Sequence, residues 1–348
     1  MLSRADALNA LLASAADAEA AEALSPLGDA PLLVLPVGDA PALTRAADAL
    51  LPGAPILVGV DAEGRAPAGP ADLFDVLLTT AAAPPAPWVS VTPWGLSEAI
   101  QAIATLVERR PIAAGVFAQV LRLGDHLDFD AALTVESLAY SALLGGAGFH
   151  DWRADLPARP REASDAPMVR LERRGEILIV TLSRPQVRNA VCAQLRDELT
   201  AALRLAQADP SIAEVQLRGD GPSFSAGGDL DEFGQAADLA LAHAIRTQRS
   251  PARLAAGLGP RLTVYIQGAA IGGGIEIAAA ASRVVADPAA IFRLPEVGMG
   301  LIPGAGGTAS LPRRIGRHRT AFLGLSGLDI DADQALAWGL VDVLEPVG

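Results

Sequence analysis

The stretch Gln267-Gly-Ala-Ala-Ile-Gly-Gly-Gly-Ile-Glu276 decides the fold of this chain. It follows an apolar run, Leu262–Ile266, that is typical of a buried strand, and it leads into a helical pattern over Gly274–Ser282. Consecutive glycines let the backbone turn tightly and come close to a ligand. The first N–H groups of a helix lack internal partners and lie at the positive end of its dipole. Gly273 N–H is therefore a candidate oxyanion donor, with Glu276 beside it in the first helical turn.

Two further turns extend this pattern. Phe224-Ser-Ala-Gly-Gly-Asp-Leu230 supplies a second candidate donor, the N–H of Gly228, and Pro295-Glu296 leads into Ile302-Pro-Gly-Ala-Gly-Gly-Thr308. Each donor aimed at a developing oxyanion contributes about 2.7–4 kcal/mol to catalysis. Two glutamates in one pocket would couple their titrations, raise one pKa and suit an acid/base pair. Together these turns predict chemistry next to a carbonyl group.

Each of these features also has a simpler interpretation. Glycine-rich strand–helix turns are common, and a glutamate in a first helical turn often only complements the helix dipole. Asp229 is interpreted as a helix-capping and solvated residue rather than an acid/base group. The arginines that follow the last glycine turn are interpreted as one solvated helix face: Arg313, Arg314, Arg317 and Arg319.

Composition narrows the class of protein. The 348 residues are 51% hydrophobic and 19% charged, as in packed globular chains, and a net charge of −13 disfavours nonspecific binding to nucleic acid or anionic membranes. All 27 basic residues are arginine, so Schiff-base and P-loop lysine chemistry are excluded. The single Cys192 excludes an internal disulfide, and the four histidines lack metal spacing, so no metal site is expected. With no membrane-spanning run and an acidic N-terminus, a cytoplasmic enzyme is the default expectation.

Strand and helix patterns alternate along the chain. Strand-like runs, a helical stretch over 96–152, a polar linker at 153–167 and a second series of strands and helices over 168–348 follow one another. Pro111 is expected to end one helix or open the next. Such alternation predicts an α/β fold with functional turns at the ends of strands.

The order and spacing of these motifs resemble the crotonase superfamily, the enoyl-CoA hydratase/isomerase family, over residues 168–345. The stretches that carry the resemblance are Leu182-Ser-Arg-Pro-Gln-Val-Arg-Asn-Ala190, Phe224–Leu230, Gln267–Glu276, Pro295-Glu296, Leu301–Thr308 and Ala335-Leu-Ala-Trp-Gly-Leu-Val-Asp-Val343. The resemblance implies a spiral of ββα units with Gly228 and Gly273 as the oxyanion hole and Glu276 and Glu296 as catalytic glutamates.

The resemblance also implies further substrate contacts and an assembly. The positions expected to contact the substrate or its coenzyme A are Arg184, Val187, Arg188, Ala190, Ala226, Gly227, Asp229, Leu230 and Gly304. Arg188 is the candidate for the phosphate or adenine, because its guanidinium offers a bidentate fork. No metal or redox cofactor is implied, coenzyme A entering only within the thioester substrate. A homo-oligomer, trimer or hexamer, is expected.

The chain departs from the family pattern in the order of its parts. Family members continue beyond the Gly339-Leu-Val-Asp motif into a helical lid, whereas residues 96–160 resemble that lid here. We therefore expect a shortened, degenerate crotonase-like α/β region over 1–95 that begins with an acidic, alanine-rich helix over 1–26. A helical lid and oligomerisation subdomain over 96–160 and a catalytic core over 161–348 are expected to follow. This order would follow from an eroded tandem pair; an unrelated N-terminal helical module is the alternative.

Retention of both glutamates favours an enoyl-CoA hydratase that adds water to a 2-enoyl-CoA in fatty acid metabolism. An enoyl-CoA isomerase or another crotonase-type enzyme of CoA thioesters is the nearest alternative. A non-catalytic acyl-CoA-binding or assembly subunit is an alternative of another class. Residues 233–258 are expected to line the acyl pocket.

Overall fold

The computed structural model describes residues 9–11, 13–14, 17–39, 54–68, 71–157 and 166–347, and it confirms the α/β class. The predicted N-terminal helix over 1–26 and the linker over 153–167 lie partly outside these residues. The strands are β1 Leu32–Pro36, β2 Ile56–Asp61, β3 Val76–Thr79, β4 Val89–Ser90, β5 Val169–Arg174, β6 Ile177–Leu182, β7 Glu214–Gly219, β8 Leu262–Ile266, β9 Ala269–Ile271, β10 Arg283–Ala286, β11 Ile291–Arg293, β12 Ile330–Asp331 and β13 Val343–Leu344.

Four helices cover the helical stretch predicted over 96–152, and another begins one residue before the helix predicted at Gly274–Ser282. The helices are α1 Ala18–Ala23, α2 Leu96–Arg109, α3 Pro111–Gly124, α4 Phe129–Leu144, α5 Ala147–Ala154, α6 Ala193–Ala208, α7 Leu239–Gln248, α8 Pro251–Leu258, α9 Gly273–Ala279, α10 Gly307–Ile315, α11 Arg317–Ser326 and α12 Ala332–Trp338. Pro111 occupies the first turn of α3, where its missing N–H costs nothing. Within the described residues no helix has the length and apolarity needed to cross a bilayer.

The chain forms two compact units. The first contains Met1–His126 and Gly316–Leu328, and the second contains Leu127–Ile315 and Asp329–Gly348. The boundaries of these units differ from those predicted for the segments 1–95, 96–160 and 161–348. Helices α2 and α3 of the predicted lid belong to the first unit, and α4 and α5 belong to the second.

A four-stranded parallel sheet, in the order β1-β2-β3-β4, forms the centre of the first unit. Its inward side chains are aliphatic or aromatic and nearly inaccessible to water, among them Leu35, Phe74 and Leu77. The Arg122 guanidinium at the end of α3 forms a bidentate pair with the buried carboxylate of Asp75, which precedes β3. This pair ties helix α3 to the sheet.

Helix α11 is buried along its whole length within the first unit, so the prediction of a solvated arginine face was wrong for Arg317 and Arg319. Arg317 donates to the carbonyl oxygens of Asp72 and Phe74, and Arg319 donates to the carbonyl of Trp88. Both guanidiniums therefore satisfy backbone acceptors that no strand pairs. Arg317 also forms an ion pair with Asp125 at 2.8 Å. A charge pattern cannot reveal such partners, because they are distant in sequence.

Two sheets build the second unit. The larger has six strands in the order β13-β10-β8-β7-β6-β5, parallel except for the antiparallel hairpin of β5 and β6. The smaller has the order β12-β11-β9, with β11 parallel to β9. The short strand β9 directly follows β8, so the chain passes from the large sheet to the small one just before helix α9.

Helix α11 offers a test of packing in the first unit, because a methyl group on Gly324 would overlap the buried ring of Phe117. We expect Gly324→Ala to lower the free energy of unfolding by about 1–3 kcal/mol, although alanine favours helices over glycine by about 1 kcal/mol. Urea unfolding followed by circular dichroism measures it.

The matched control is Gly148→Ala in helix α5, where an added methyl group meets no atom within 4 Å. That variant is expected to be neutral or more stable by up to about 1 kcal/mol. Equal stability of Gly324→Ala and the wild type would contradict the packing described here.

Candidate active site

Short strand pairings bring the two upstream glycine turns together. Ser225 donates its N–H to the carbonyl of Ala269 and accepts from the N–H of Ile271, at 3.1 and 3.0 Å. The turn that contains Gly227 and Gly228 therefore lies alongside strand β9 and the start of helix α9. This pairing is local in space but spans more than forty residues of sequence.

The amides of Gly228 and Gly273 face one small region. A methyl group built on Gly273 would lie 3.8 Å from the Gly228 nitrogen, and one built on Gly227 would lie 3.5 Å from the Gly273 nitrogen. Val191 pairs with the flanking Gly227 carbonyl and Asp229 amide, which turns the Gly228 N–H away from it. Among the described residues neither N–H has an acceptor. The geometry is that of two free donors beside each other.

Glu276 lies in the first turn of helix α9 with its side chain buried. Its Oε2 accepts hydrogen bonds from the N–H groups of Ala305 and Gly307, at 2.6 and 2.9 Å. Burial raises the pKa of Glu276 to about 7, against the opposing effect of these amides and that of Gly304. A carboxyl group that exchanges its proton near neutral pH suits general acid–base chemistry.

Glu296 reaches the same turns through the register of β11 with β9, in which Arg293 pairs with Ile271. The Gly272 N–H donates to the carbonyl of Arg293, and a methyl group on Gly272 would overlap Oε1 of Glu296. The carboxyl group thus lies directly against the glycine turn. Only a glycine, here with a φ of +47°, leaves room for it.

The second carboxylate oxygen of Glu296 is buried and has no hydrogen-bond partner among the described residues. Burial raises the pKa of Glu296 well above its usual range, and the charges of Glu276 and, less strongly, Glu136 raise it further. An unpartnered buried oxygen is costly and marks a place where a ligand or water can bind.

The predicted coenzyme A turn is fixed to the Gly228 turn through Asn189. The Asn189 side chain donates to the carbonyls of Ser223 and Phe224 and accepts from the N–H of Arg184. The Ala226 N–H also donates to the carbonyl of Arg188. Arg188 and Asn189 both have φ values of +53°, the left-handed conformation that asparagine tolerates well. Sequence reasoning placed Asn189 in a motif without giving it this role.

The enoyl-CoA hydratase/isomerase family model matches residues 172–347, half of the chain. The chain belongs to the enoyl-CoA hydratase/isomerase family. A mevalonyl-coenzyme A hydratase from Beauveria bassiana is 34% identical over 49% of this chain and 64% of its own. A 2,3-dehydroadipyl-CoA hydratase from Escherichia coli is 38% identical over 51% and 68%.

A solved enoyl-CoA hydratase from Thermoplasma volcanium covers 52% of this chain and 72% of its own, with a TM-score of 0.48 and 31% identity. The chain thus spans about two thirds of the length of the curated relatives it matches.

The residues predicted to contact the substrate or its coenzyme A differ from one another in solvent exposure. Arg184 is buried, where it pairs with Asp229 at 2.8 Å and donates to the carbonyl of Ala190. Asp229 is therefore not the solvated residue that the sequence predicted. Arg188 is exposed, and Val187 and Leu230 are half-buried. Gly304 packs against the ring of Tyr140, because a methyl group there would lie 2.6 Å from that ring.

Helices α4 and α5 contact the glycine-rich turns within the second unit. Phe149 of α5 packs near Gly300, which ends the Glu296 turn, and Arg153 donates to the carbonyl of Phe233 at 3.0 Å. The Phe233 ring in turn lies against Gly228. These helices precede the core in sequence, as the predicted lid does.

Sequence reasoning missed a third buried glutamate, Glu136 of helix α4. Its carboxylate accepts hydrogen bonds from the backbone of Gly306 and Thr308. Its place in a helix before the core predicted over 161–348 gave no signal, since an isolated helical glutamate is normally exposed. Within the described ranges, no group of three or more His, Cys, Asp and Glu side chains has an arrangement that could hold a metal ion.

The raised pKa of Glu276 predicts that the stability of the folded protein depends on pH. The folded-state pKa of Glu276, about 7, exceeds the unfolded value of 4.5, so the stability that this group contributes is present below pH 4.5 and is lost as pH rises through 7. Glu276→Gln removes this titration. We expect the Tm of the variant, relative to the wild type, to rise from pH 5 to pH 8.5, by the equivalent of at most about 3 kcal/mol.

Differential scanning fluorimetry across this pH range measures the difference. The exposed Glu108→Gln, on helix α2, reports the effect of an amide substitution at a surface position. A Tm difference between Glu276→Gln and the wild type that stays constant from pH 5 to pH 8.5 would show that Glu276 has an ordinary pKa.

Proposed function

We propose that this family member is an enoyl-CoA hydratase, which adds water reversibly to a 2-enoyl-CoA to give a 3-hydroxyacyl-CoA. The observation that carries the proposal is the meeting of two buried glutamates, Glu276 and Glu296, beside the unpartnered amides of Gly228 and Gly273. A thioester oxygen between the two amides would be held by both donors as negative charge develops on it.

The environments of the two carboxyl groups support different roles for them. Glu276 has one oxygen held by two amides, which favours the ionised form and leaves Oε1 to accept a proton from water. Glu296 has no amide on its buried Oε2 and its pKa is raised further, which favours the protonated form. We therefore assign Glu276 as the base that activates water and Glu296 as the acid that protonates Cα.

The proposed reaction is balanced by these two groups alone. Glu276 takes one proton from water as the water oxygen bonds to Cβ, and the double bond's electrons move onto the thioester oxygen as an enolate. The enolate collapses as Glu296 delivers its proton to Cα. The product carries the added hydroxyl on Cβ, and proton exchange between the carboxyl groups or with solvent restores the starting state. No metal or redox cofactor enters this scheme.

The remaining expectations stay proposals. The exposed Arg188 at its left-handed turn is available to contact a phosphate or the adenine of coenzyme A. The buried Arg184 is engaged by Asp229 and would act by shaping the turn rather than by touching the ligand. We also keep the homo-oligomer, trimer or hexamer, as a prediction.

The test is hydration of crotonyl-CoA, followed by the loss of the ultraviolet absorbance of the conjugated thioester, with a 3-enoyl-CoA assayed alongside. We expect Glu276→Gln and Glu296→Gln each to lower kcat by about 10²–10⁴-fold, since each removes one proton-transfer group. The exposed Glu108→Gln serves as the matched control.

Conversion of the 3-enoyl-CoA to its 2-isomer without hydration of crotonyl-CoA would replace the proposal with an isomerase. Binding of CoA thioesters with no turnover of either compound would instead indicate a binding subunit. Wild-type rates in both Glu276→Gln and Glu296→Gln would show that neither carboxyl group takes part in the reaction.

A further inference from the structure

The turn that follows Pro303 has its backbone N–H groups divided between two carboxylates. The amides of Ala305 and Gly307 donate to Glu276, and the amides of Gly306 and Thr308 donate to Glu136. Successive amides thus alternate between a catalytic candidate on helix α9 and a glutamate on helix α4. The turn is held from both sides at once.

Glu136 makes three hydrogen bonds and all of them are donated to it. Gly306 N–H donates to Oε1, and both the N–H and the hydroxyl of Thr308 donate to Oε2, each at 2.7 Å. An ionised carboxylate accepts all three, whereas a protonated one turns an oxygen into a donor. The site lies at the N-terminus of helix α10, where the dipole favours negative charge.

No arginine or histidine of the described residues forms an ion pair with Glu136, although its side chain is only 2% exposed. Burial raises the pKa of Glu136 to about 8 and the Glu276 charge adds to this, while the Thr308 and Gly306 hydrogen bonds oppose both. A buried carboxylate held only by backbone dipoles is expensive to maintain. Plain packing of helix α4 would be served better by an apolar side chain.

Glu136 also interacts electrostatically with the other two glutamates: the charge of Glu276 raises the pKa of Glu136, and the charge of Glu136 raises the pKa of Glu296. The titratable and charged groups that face it or lie on the elements packed around it are Glu276, Glu296, Tyr140, His243, Arg246, Arg253 and Arg313. Arg253 pairs with Asp130, and Arg246 donates to Ser137 and Ser141. None of these cations neutralises the carboxylate directly.

We propose that Glu136 is a positioning residue for the reaction proposed above: from helix α4 it holds the 304–308 turn against Glu276, and it places a third carboxyl group next to the two candidate catalytic glutamates. The inference rests on the proposed hydratase function for its kinetic consequences. Its structural consequences, the held turn and the coupled charges, do not depend on the substrate.

The substitution Glu136→Gln tests both the hold on the turn and the effect of the charge. The glutamine side chain has no negative charge, and its NH₂ group would face the N–H and hydroxyl donors that now bind the carboxylate. We expect kcat for crotonyl-CoA to fall about 30- to 100-fold, as for a catalytic group displaced by about 1 Å, with KM changed less than threefold. The alkaline limb of the kcat/KM pH profile, which reports Glu296, should move down by about one pH unit as a neighbouring negative charge is lost.

Two further variants separate the effect of the negative charge at position 136 from the effect of the hydrogen bonds to the turn. Glu136→Asp keeps the charge on a shorter side chain, so kcat should fall while the alkaline limb returns to its wild-type position. Thr308→Val removes one neutral donor and leaves the charge, so it should lower kcat by less than about fivefold without moving the profile. A merely structural role predicts lower kcat or Tm in all three variants with unmoved pH profiles, and that result would overturn the proposal.

A readout without turnover keeps the test independent of the proposed reaction. Because the folded-state pKa of Glu136 lies above its unfolded value of 4.5, stability is lost as pH rises toward 8, and Glu136→Gln should gain Tm relative to the wild type over that range. In a Glu276→Gln background this gain should shrink, since the repelling partner is gone. An undiminished gain in that background would refute the coupling, whereas an inactive wild type with a diminished gain would refute only the hydratase assignment.

Discussion

The amide groups at the N-terminus of helix α10 hold two buried carboxyl groups, those of Glu276 and Glu136. Glu276 and Glu136 share the four amides of residues 305 to 308, two each. Oriented backbone dipoles thus replace the cations that normally accompany buried acids. The turn, the catalytic candidate and helix α4 therefore form a single mechanical unit, since moving any one of them leaves buried donors or acceptors unpaired.

Glycines provide the space that this arrangement requires. Gly307 lies so close to Glu276 that an added methyl group would come within 2.6 Å of its Cγ, and Gly272 lies against Glu296 in the same way. The backbone is thereby brought to the carboxylates, instead of long side chains being extended toward it. Short strands then set the register, because β9 pairs with both Ser225 and β11 and so carries three turns to one place.

The two compact units also contain helices that the sequence order would not group together. Helices α4 and α5, which precede the core in sequence, contact the glycine-rich turns in the second unit, while α11 from the C-terminal part is enclosed in the first. Buried polar side chains on these helices bind backbone groups: Glu136 accepts from backbone amides, and Arg317 and Arg319 donate to backbone carbonyls. An eroded tandem pair remains our prediction for how this order arose.

The sequence by itself determined the α/β class, most strands and helices, and the family, because glycine spacing and hydrophobic periodicity are local properties of the chain. It also identified Gly228, Gly273, Glu276 and Glu296, which the structure brings together. Only the tertiary structure decided which polar side chains are buried and what they contact. Glu136, Arg317, Arg319 and Asp229 have partners from 45 to 245 residues away in sequence. A local pattern predicts solvation for such residues, since their partners come within reach only when distant segments of the chain pack together.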